Sequence, residues 1–81
     1  MIKVLFFASI KEALDCADIC LEQEFNTIAD VLEHLSARGE QWQKTLRAGS
    51  VMVAVNQAMA DEKTVLKSGD EVAFFPPVTG G

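Results

Sequence analysis

The segment NTIADVLEHLSARG, from Asn26 to Gly39, constrains the fold more than any other stretch of the chain. Ile28, Val31, Leu32 and Leu35 recur at helical spacing and draw one apolar stripe along an otherwise polar helix. Such a helix is stable only when the stripe lies against another layer. Asn26 or Thr27 is placed to cap its start, and Asp30 stands three residues after Thr27 as in a capping box. Gly39 is expected to close the helix as a left-handed C-terminal cap.

The layer that receives this helix is written on both sides of it. Residues 2–8 read as a strand in which Ile2, Val4 and Phe6 alternate with Lys3, Leu5 and Phe7. A short helical stretch is expected over residues 9–15 and a second, weaker strand over 18–24. After the main helix, residues 40–47 suit a short helix anchored by Trp42 and Leu46 and stopped by Gly49. VMVAVN then gives a strand, QAM continues after a turn, DEKTVLKSGD is a polar connection turning at Ser68, Gly69 and Asp70, and EVAFF gives the last strand. The order is that of an α+β domain: a mixed sheet with one main helix packed on one face. With the first and last strands parallel and adjacent, the handedness of crossovers puts the helix on the connection between them. A β-grasp, or ubiquitin-like, roll fits this order, with residues 1–75 as the domain and 76–81 as an extended tail.

Size and charge narrow the function. With 81 residues the chain makes a single domain. A domain of this size buries only roughly 60 to 65% of its unfolded surface, and its 49% hydrophobic content suffices for a core. Twelve acidic against seven basic residues give a net charge of -5, which repels phosphate backbones and anionic lipid. Nucleic acid and membrane are therefore not expected partners. The apolar run at the start is too short for a secretory segment, no stretch has the length of a membrane span, and a cytoplasmic location is expected.

Candidate catalytic groups inside the domain are sparse. There is no nucleophile elbow, glycine-rich phosphate loop or HExxH motif. Cys16 and Cys20 would lie about 13 Å apart along one strand, too far for a disulfide. With His34 they supply too few ligands for zinc, so no metal site is expected and the cysteines read as buried or half-buried free thiols. His34 flanks the apolar stripe as a structural residue, and Trp42 reads as a packing anchor rather than a ligand stacker.

The tail, FFPPVTGG, is where chemistry concentrates. Pro76 and Pro77 remove two backbone donors, so the sheet ladder must stop there and the chain must leave as an extended arm. Residues 76–81 reach about 20 Å at full extension. Gly80 and Gly81 lack a Cβ and pass through a channel too narrow for other residues. The reactive group of the arm is its terminal carboxylate, ionised at neutral pH and a poor acyl donor. Activation by ATP to an acyl adenylate supplies a leaving group, and a sulfur nucleophile that displaces AMP leaves a thiocarboxylate. Nothing follows Gly81, so no processing step is expected before activation.

MIKVLFFA at the start, VAVN at Val53 to Asn56 and GDEVAFFPPVTGG at Gly69 to Gly81 closely resemble the family of small, sulfur-carrying subunits of molybdopterin synthase. The resemblance implies a β-grasp carrier that is itself non-catalytic. Its Gly81 is adenylated by a ubiquitin-activating-like enzyme that uses ATP and is then charged by a sulfur donor system. It further implies that Pro76, Pro77, Val78, Thr79 and Gly80 thread the tail into a large subunit, within a heterotetramer of two small and two large subunits. There sulfur passes to cyclic pyranopterin monophosphate, held by the large subunit's lysines and arginines. The chain itself is expected to bind no cofactor.

Beside the tail, strand alternation places Leu5, Phe7 and Phe75 on the side of the sheet away from the helix, and Met59 is expected to join them as a docking face. Packing of these residues under a loop of the same chain is the alternative. For the function, the alternatives are a carrier delivering sulfur to thiamin or to tRNA, and a non-covalent ubiquitin-like binding module whose tail is only a linker.

Overall fold

The computed structural model describes residues 1–47 and 51–77. Its elements are β1 (Ile2–Phe6), α1 (Ala8–Leu14), β2 (Asp18–Leu21), α2 (Ile28–Ser36), α3 (Glu40–Thr45), β3 (Met52–Val55), β4 (Ala58–Ala60) and β5 (Glu71–Phe75). The strands form one mixed sheet in the order β2-β1-β5-β3-β4. β1 and β5, the first and last strands, run parallel side by side, and the other pairs are antiparallel.

The alternation in β1 sorts as its sequence requires. Ile2, Val4 and Phe6 are buried, as are Val72 and Phe74 of the adjacent β5. Phe6 and Phe74, paired in register, stack at 6.1 Å between ring centroids, and Trp42 meets Phe6 edge-on at 5.6 Å. Ile28, Val31 and Leu35 carry the stripe of α2 into this core, while Leu32 is only partly covered. Trp42 is thus a packing anchor, with the Arg38 guanidinium 4.6 Å from its ring on the other contact.

α2 starts as expected. The Thr27 hydroxyl accepts from Asp30 N–H, and the Asp30 carboxylate accepts in return from the backbone N–H of Thr27 and Asn26. Its end differs: the C-cap is Ala37 in right-handed backbone, and Gly39 instead precedes α3 in a near-extended conformation (φ 159°, ψ 171°). The helix stops before the glycine because residues 37–39 must redirect the chain so that α3 reaches Phe6.

Two short helices, expected over residues 9–15 and 40–47, accompany the main helix α2 in covering the sheet. α1 contributes Ile10 and Leu14, and α3 is held by the buried Leu46 just past its end. β1 ends at Phe6 because Ala8 turns into α1 with φ 52°, and β2 is shorter than its expected span. The 61–70 connection is less independent of the core than its polarity suggests. Leu66 is buried, Thr27 and Val65 form an isolated bridge, and the carbonyls of Thr64 and Glu62 accept from the first N–H groups of α2 at Ile28 and Ala29. Those N–H groups have no partner within the helix, so the connection completes its N-terminus.

Candidate docking face and reactive terminus

Register resolves the sheet face away from the helices into three rows. In the middle row Asp18, Leu5, Ala73, Ala54 and Met59 stand in sequential pairing across all five strands. In the upper row Phe75 pairs with Met52, and Phe7 joins them: its backbone is extended and its N–H donates to the Phe74 carbonyl at 3.1 Å. In the lower row Lys3 stands between Cys20 and Glu71. The face is thus apolar above and polar below, and its apolar end is the one from which β5 runs into the tail.

The four residues expected on this face are on it together. Phe7 is 47% and Met59 61% exposed, while Leu5 and Phe75 are half-buried. Among the described residues no loop lies over Phe7 or Met59. Sequence reasoning missed Met52, Ala54 and Ala73. The alternation in VMVAV carried the signal, but only pairing with β5 shows which parity faces outward. The two alanines keep the centre of the face low, between Leu5, Phe75, Met52 and Met59.

Pro76, half-buried, and the exposed Pro77 continue directly from Phe75. Val78, Thr79, Gly80 and Gly81, assigned to tail insertion and to the reactive end, lie outside the described residues, as does Gly49, expected to stop α3.

The opposite end of β5 is held by side chains. Asn56 and Gln57 form the β3–β4 turn with φ values of 50° and 70°, a left-handed pair for which asparagine is well suited. The Asn56 N–H donates to the Glu71 carbonyl at 2.8 Å, and its side-chain oxygen accepts from the Glu71 N–H at 3.0 Å. Asp70 accepts from the Lys67 N–H at 2.8 Å and from Asn56 Nδ2 at 3.0 Å. These bonds, led by the one from Lys67 and aided by the Lys67 charge, hold the Asp70 carboxyl below its ordinary pKa against a smaller opposing effect of desolvation.

Elsewhere the titratable side chains are placed structurally. His34, in the last turn of α2, is half-buried with its ring 5.1 Å from that of Phe25. Cys16 is half-buried and its thiol approaches the Asp18 carbonyl at 3.3 Å, but Cys20 is exposed, contrary to expectation, because it takes the outward parity of an edge strand. Among the described residues no three His, Cys, Asp or Glu side chains cluster as metal ligands. Two clefts flank α2, one of about 400 Å³ against β3 and β4 and one of about 850 Å³ against α3, and neither is lined by a histidine or cysteine.

The family model described as the ThiS family matches residues 4–81, from β1 through the terminal glycines. The chain belongs to the ThiS family. A ThiS-family match of this extent takes in both the candidate docking face and the tail. A curated relative from Haemophilus influenzae, the molybdopterin synthase sulfur carrier subunit, is 46% identical over 81 residues, covering all of both chains. Among solved structures, the complex of subunits 1 and 2 of the molybdopterin-converting factor from Helicobacter pylori contains a chain that is 28% identical. It superposes with a TM-score of 0.69 over 99% of this chain and 97% of that one. SAMP1 from Haloferax volcanii, 23% identical, superposes with a TM-score of 0.82 over 99% of this chain and 98% of its own, a likeness of fold. The ubiquitin-like β-grasp architecture read from the element order is the architecture of this ThiS-family chain.

Proposed function

We propose that this chain is a sulfur carrier protein of molybdenum cofactor biosynthesis, and that its reactive atom sits on the C-terminal carboxyl of Gly81. The carboxylate attacks ATP on a ubiquitin-activating-like adenylyltransferase, releasing pyrophosphate and forming an acyl adenylate. A sulfur donor system then displaces AMP and leaves a thiocarboxylate. Pro76, Pro77, Val78, Thr79 and Gly80 carry this group into the active site of the large molybdopterin synthase subunit, where its sulfur passes to cyclic pyranopterin monophosphate. The chain binds no cofactor of its own in this scheme, and the side chains that hold the substrate belong to the large subunit.

The observation that carries the reading is the full-length 46% identity to a protein named as such a carrier. Its geometry supports the same scheme: the apolar face of Leu5, Phe7, Met52, Met59 and Phe75 adjoins the end of β5 that leads to the tail. A partner seated on that face is thereby aligned with the emerging arm, so docking and delivery are one event. In the Helicobacter pylori structure the similar chain is in complex with a second subunit. For this chain we propose a complex of two small and two large subunits. Among the described residues no helix is long and apolar enough to cross a membrane, and we place the carrier in the cytoplasm.

Intact mass spectrometry tests the chemistry. After incubation with the activating enzyme, ATP and the sulfur donor, the chain gains the sulfur-for-oxygen mass difference, localised to Gly81. Addition of the large subunit and cyclic pyranopterin monophosphate then yields molybdopterin and returns the chain to its original mass. An unchanged mass in the first step, with an activating enzyme proven on another carrier, overturns the proposal.

A further inference from the structure

The docking face contains a chemical feature that carrying sulfur does not require. Of the three methionines in the chain, two stand on this face. Met59 is 61% exposed at the end of the middle row, and Met52 is 36% exposed beside Phe75 in the upper row. Met52 and Ala54 both project outward from β3, and Ala54 pairs with Met59, so the two thioethers are diagonal neighbours across one strand pair. They flank the two alanines on the side of the face formed by β3 and β4. Their reach and flexibility suit a surface that meets more than one partner, but a solvent-exposed thioether is also open to two-electron oxidation.

We propose that Met52 and Met59 form a reversible oxidation site that switches off the docking face. The inference rests on the assignment of that face as the partner site. In the modification a methionine sulfur attacks one oxygen of hydrogen peroxide. The S–O bond forms as the O–O bond breaks, and the departing oxygen leaves as water after proton transfer. The sulfur loses two electrons, the peroxide is reduced, and the product is the sulfoxide. In the free carrier the new dipole is hydrated by solvent, so the fold loses little. In the docked state it must give up that hydration as a partner covers the apolar face around it, formed on this chain by Leu5, Phe75 and the two alanines. Oxidation therefore penalises the complex and spares the domain. Methionine sulfoxide reductases, which use thiols as the reductant, restore the thioether and with it the affinity.

The test uses the full chain in its carboxylate form, so that no thiocarboxylate is present to be oxidised. The chain is treated with hydrogen peroxide and then with dithiothreitol, which returns reversibly oxidised Cys16 and Cys20 to thiols but leaves sulfoxides intact. Peptide mass mapping locates the added oxygen, circular dichroism checks the fold, and calorimetry measures binding to the large subunit. With both sites oxidised and the fold unchanged, the dissociation constant is expected to rise roughly tenfold or more. Reductase treatment should restore it. The M52L/M59L variant, a volume-conserving change, sets its own untreated affinity as the reference and should keep that affinity through peroxide treatment.

The proposal fails if the doubly oxidised chain binds as tightly as the untreated one, or if the weakened chain has simply unfolded. It fails equally if the double leucine variant loses affinity to peroxide as the native chain does, or if Met52 and Met59 resist a dose that oxidises the exposed Met1. Failure of the docking assignment gives a different signature: Phe75→Asp in the unoxidised chain would leave binding unchanged.

Discussion

Asn56 and Asp70 are joined by a 3.0 Å hydrogen bond from Asn56 Nδ2 to Asp70 Oδ1, which ties the β3–β4 turn to the residue before β5. The same Asn56 side chain accepts from the Glu71 N–H, so one carboxamide fixes where β5 begins. β5 is the central strand of the sheet, and its far end becomes the tail. Its register decides both which residues form the outward apolar face proposed for docking and where the chain leaves the sheet at Pro76.

Replacing Asn56 by alanine removes both side-chain bonds and leaves a β-carbon at φ 50° without the local bonding that makes asparagine tolerant of that conformation. The expected loss is about 1 to 2 kcal/mol, carried by the left-handed residue because both hydrogen bonds are exposed to solvent. Urea denaturation measures it. Asn56→Gly, which relieves the backbone but not the missing bonds, should recover part of the loss; equal stability of the two variants would show that backbone conformation contributes nothing.

Asp70 gives the fold an acid-side dependence. Its pKa is lowered in the folded state by the Lys67 N–H and Asn56 bonds. A carboxyl lowered on folding stabilises the protein fully above its unfolded pKa. The contribution disappears as pH falls through the lower, folded value. Asp70→Asn should therefore flatten the decline of stability in the acid range while changing its slope little near neutrality. Parallel urea titrations of native and variant chains from neutral to acid pH read the difference, and superimposable acid limbs would rule the linkage out.

The start of α2 offers a measurement separate from function. Thr27→Ala deletes one half of the capping box and should cost about 1 kcal/mol of stability. Sulfur transfer at a temperature where the variant is folded should be unaffected, because Thr27 lies on the helical side, away from the docking face.

Much of this was legible in the sequence because it depends on alternation and spacing. The stripe of Ile28, Val31, Leu32 and Leu35, the box of Thr27 with Asp30, and the split of Ile2, Val4 and Phe6 from Leu5 and Phe7 need no knowledge of distant contacts. What escaped depends on pairing between distant segments. Gly39 looked like a helix cap because glycine suits that role, yet the path to α3 claimed it. Met52 joins the docking face only through its pairing with Phe75. Leu66 is buried in a connection whose neighbours are polar, because its backbone N–H bonds the Asn26 carbonyl and draws it under α2. Cys20 is exposed because β2 is an edge strand, a fact of sheet order that no local pattern contains.

On the docking face, Phe75→Asp places a charge in the row nearest the tail. Phe75 is half-buried on the outer side, so the core formed by Phe74 and Phe6 should persist, and circular dichroism should remain native. Binding to the large subunit should weaken by roughly a hundredfold, the effect of burying an unpaired charge at an apolar contact. Met59→Asp serves as the control at a more exposed site on the same face, with a smaller loss expected. Unchanged affinity in both variants would move the interface elsewhere.

Deletion of Gly81 separates the fold from the reaction. Residue 81 follows two prolines that end the sheet ladder, and the hydrogen bonds that hold β5 are made by residues 71–75 and by Asn56. Removing one glycine beyond them should leave the urea midpoint unchanged and leave docking through Phe7, Met59 and Phe75 nearly as strong. Sulfur transfer should be lost, because the new terminal carboxyl on Gly80 stops about 3.5 Å short along an extended chain, roughly the reach of one residue. A displacement of even 1 Å at a reacting centre can cost about a hundredfold in rate. A truncated chain that still forms thiocarboxylate and supports molybdopterin synthesis at the native rate would show that the position of the terminal carboxyl does not govern transfer. The combination expected here, native stability and native docking with no transfer, is one that a purely structural role for the terminal glycine would not produce.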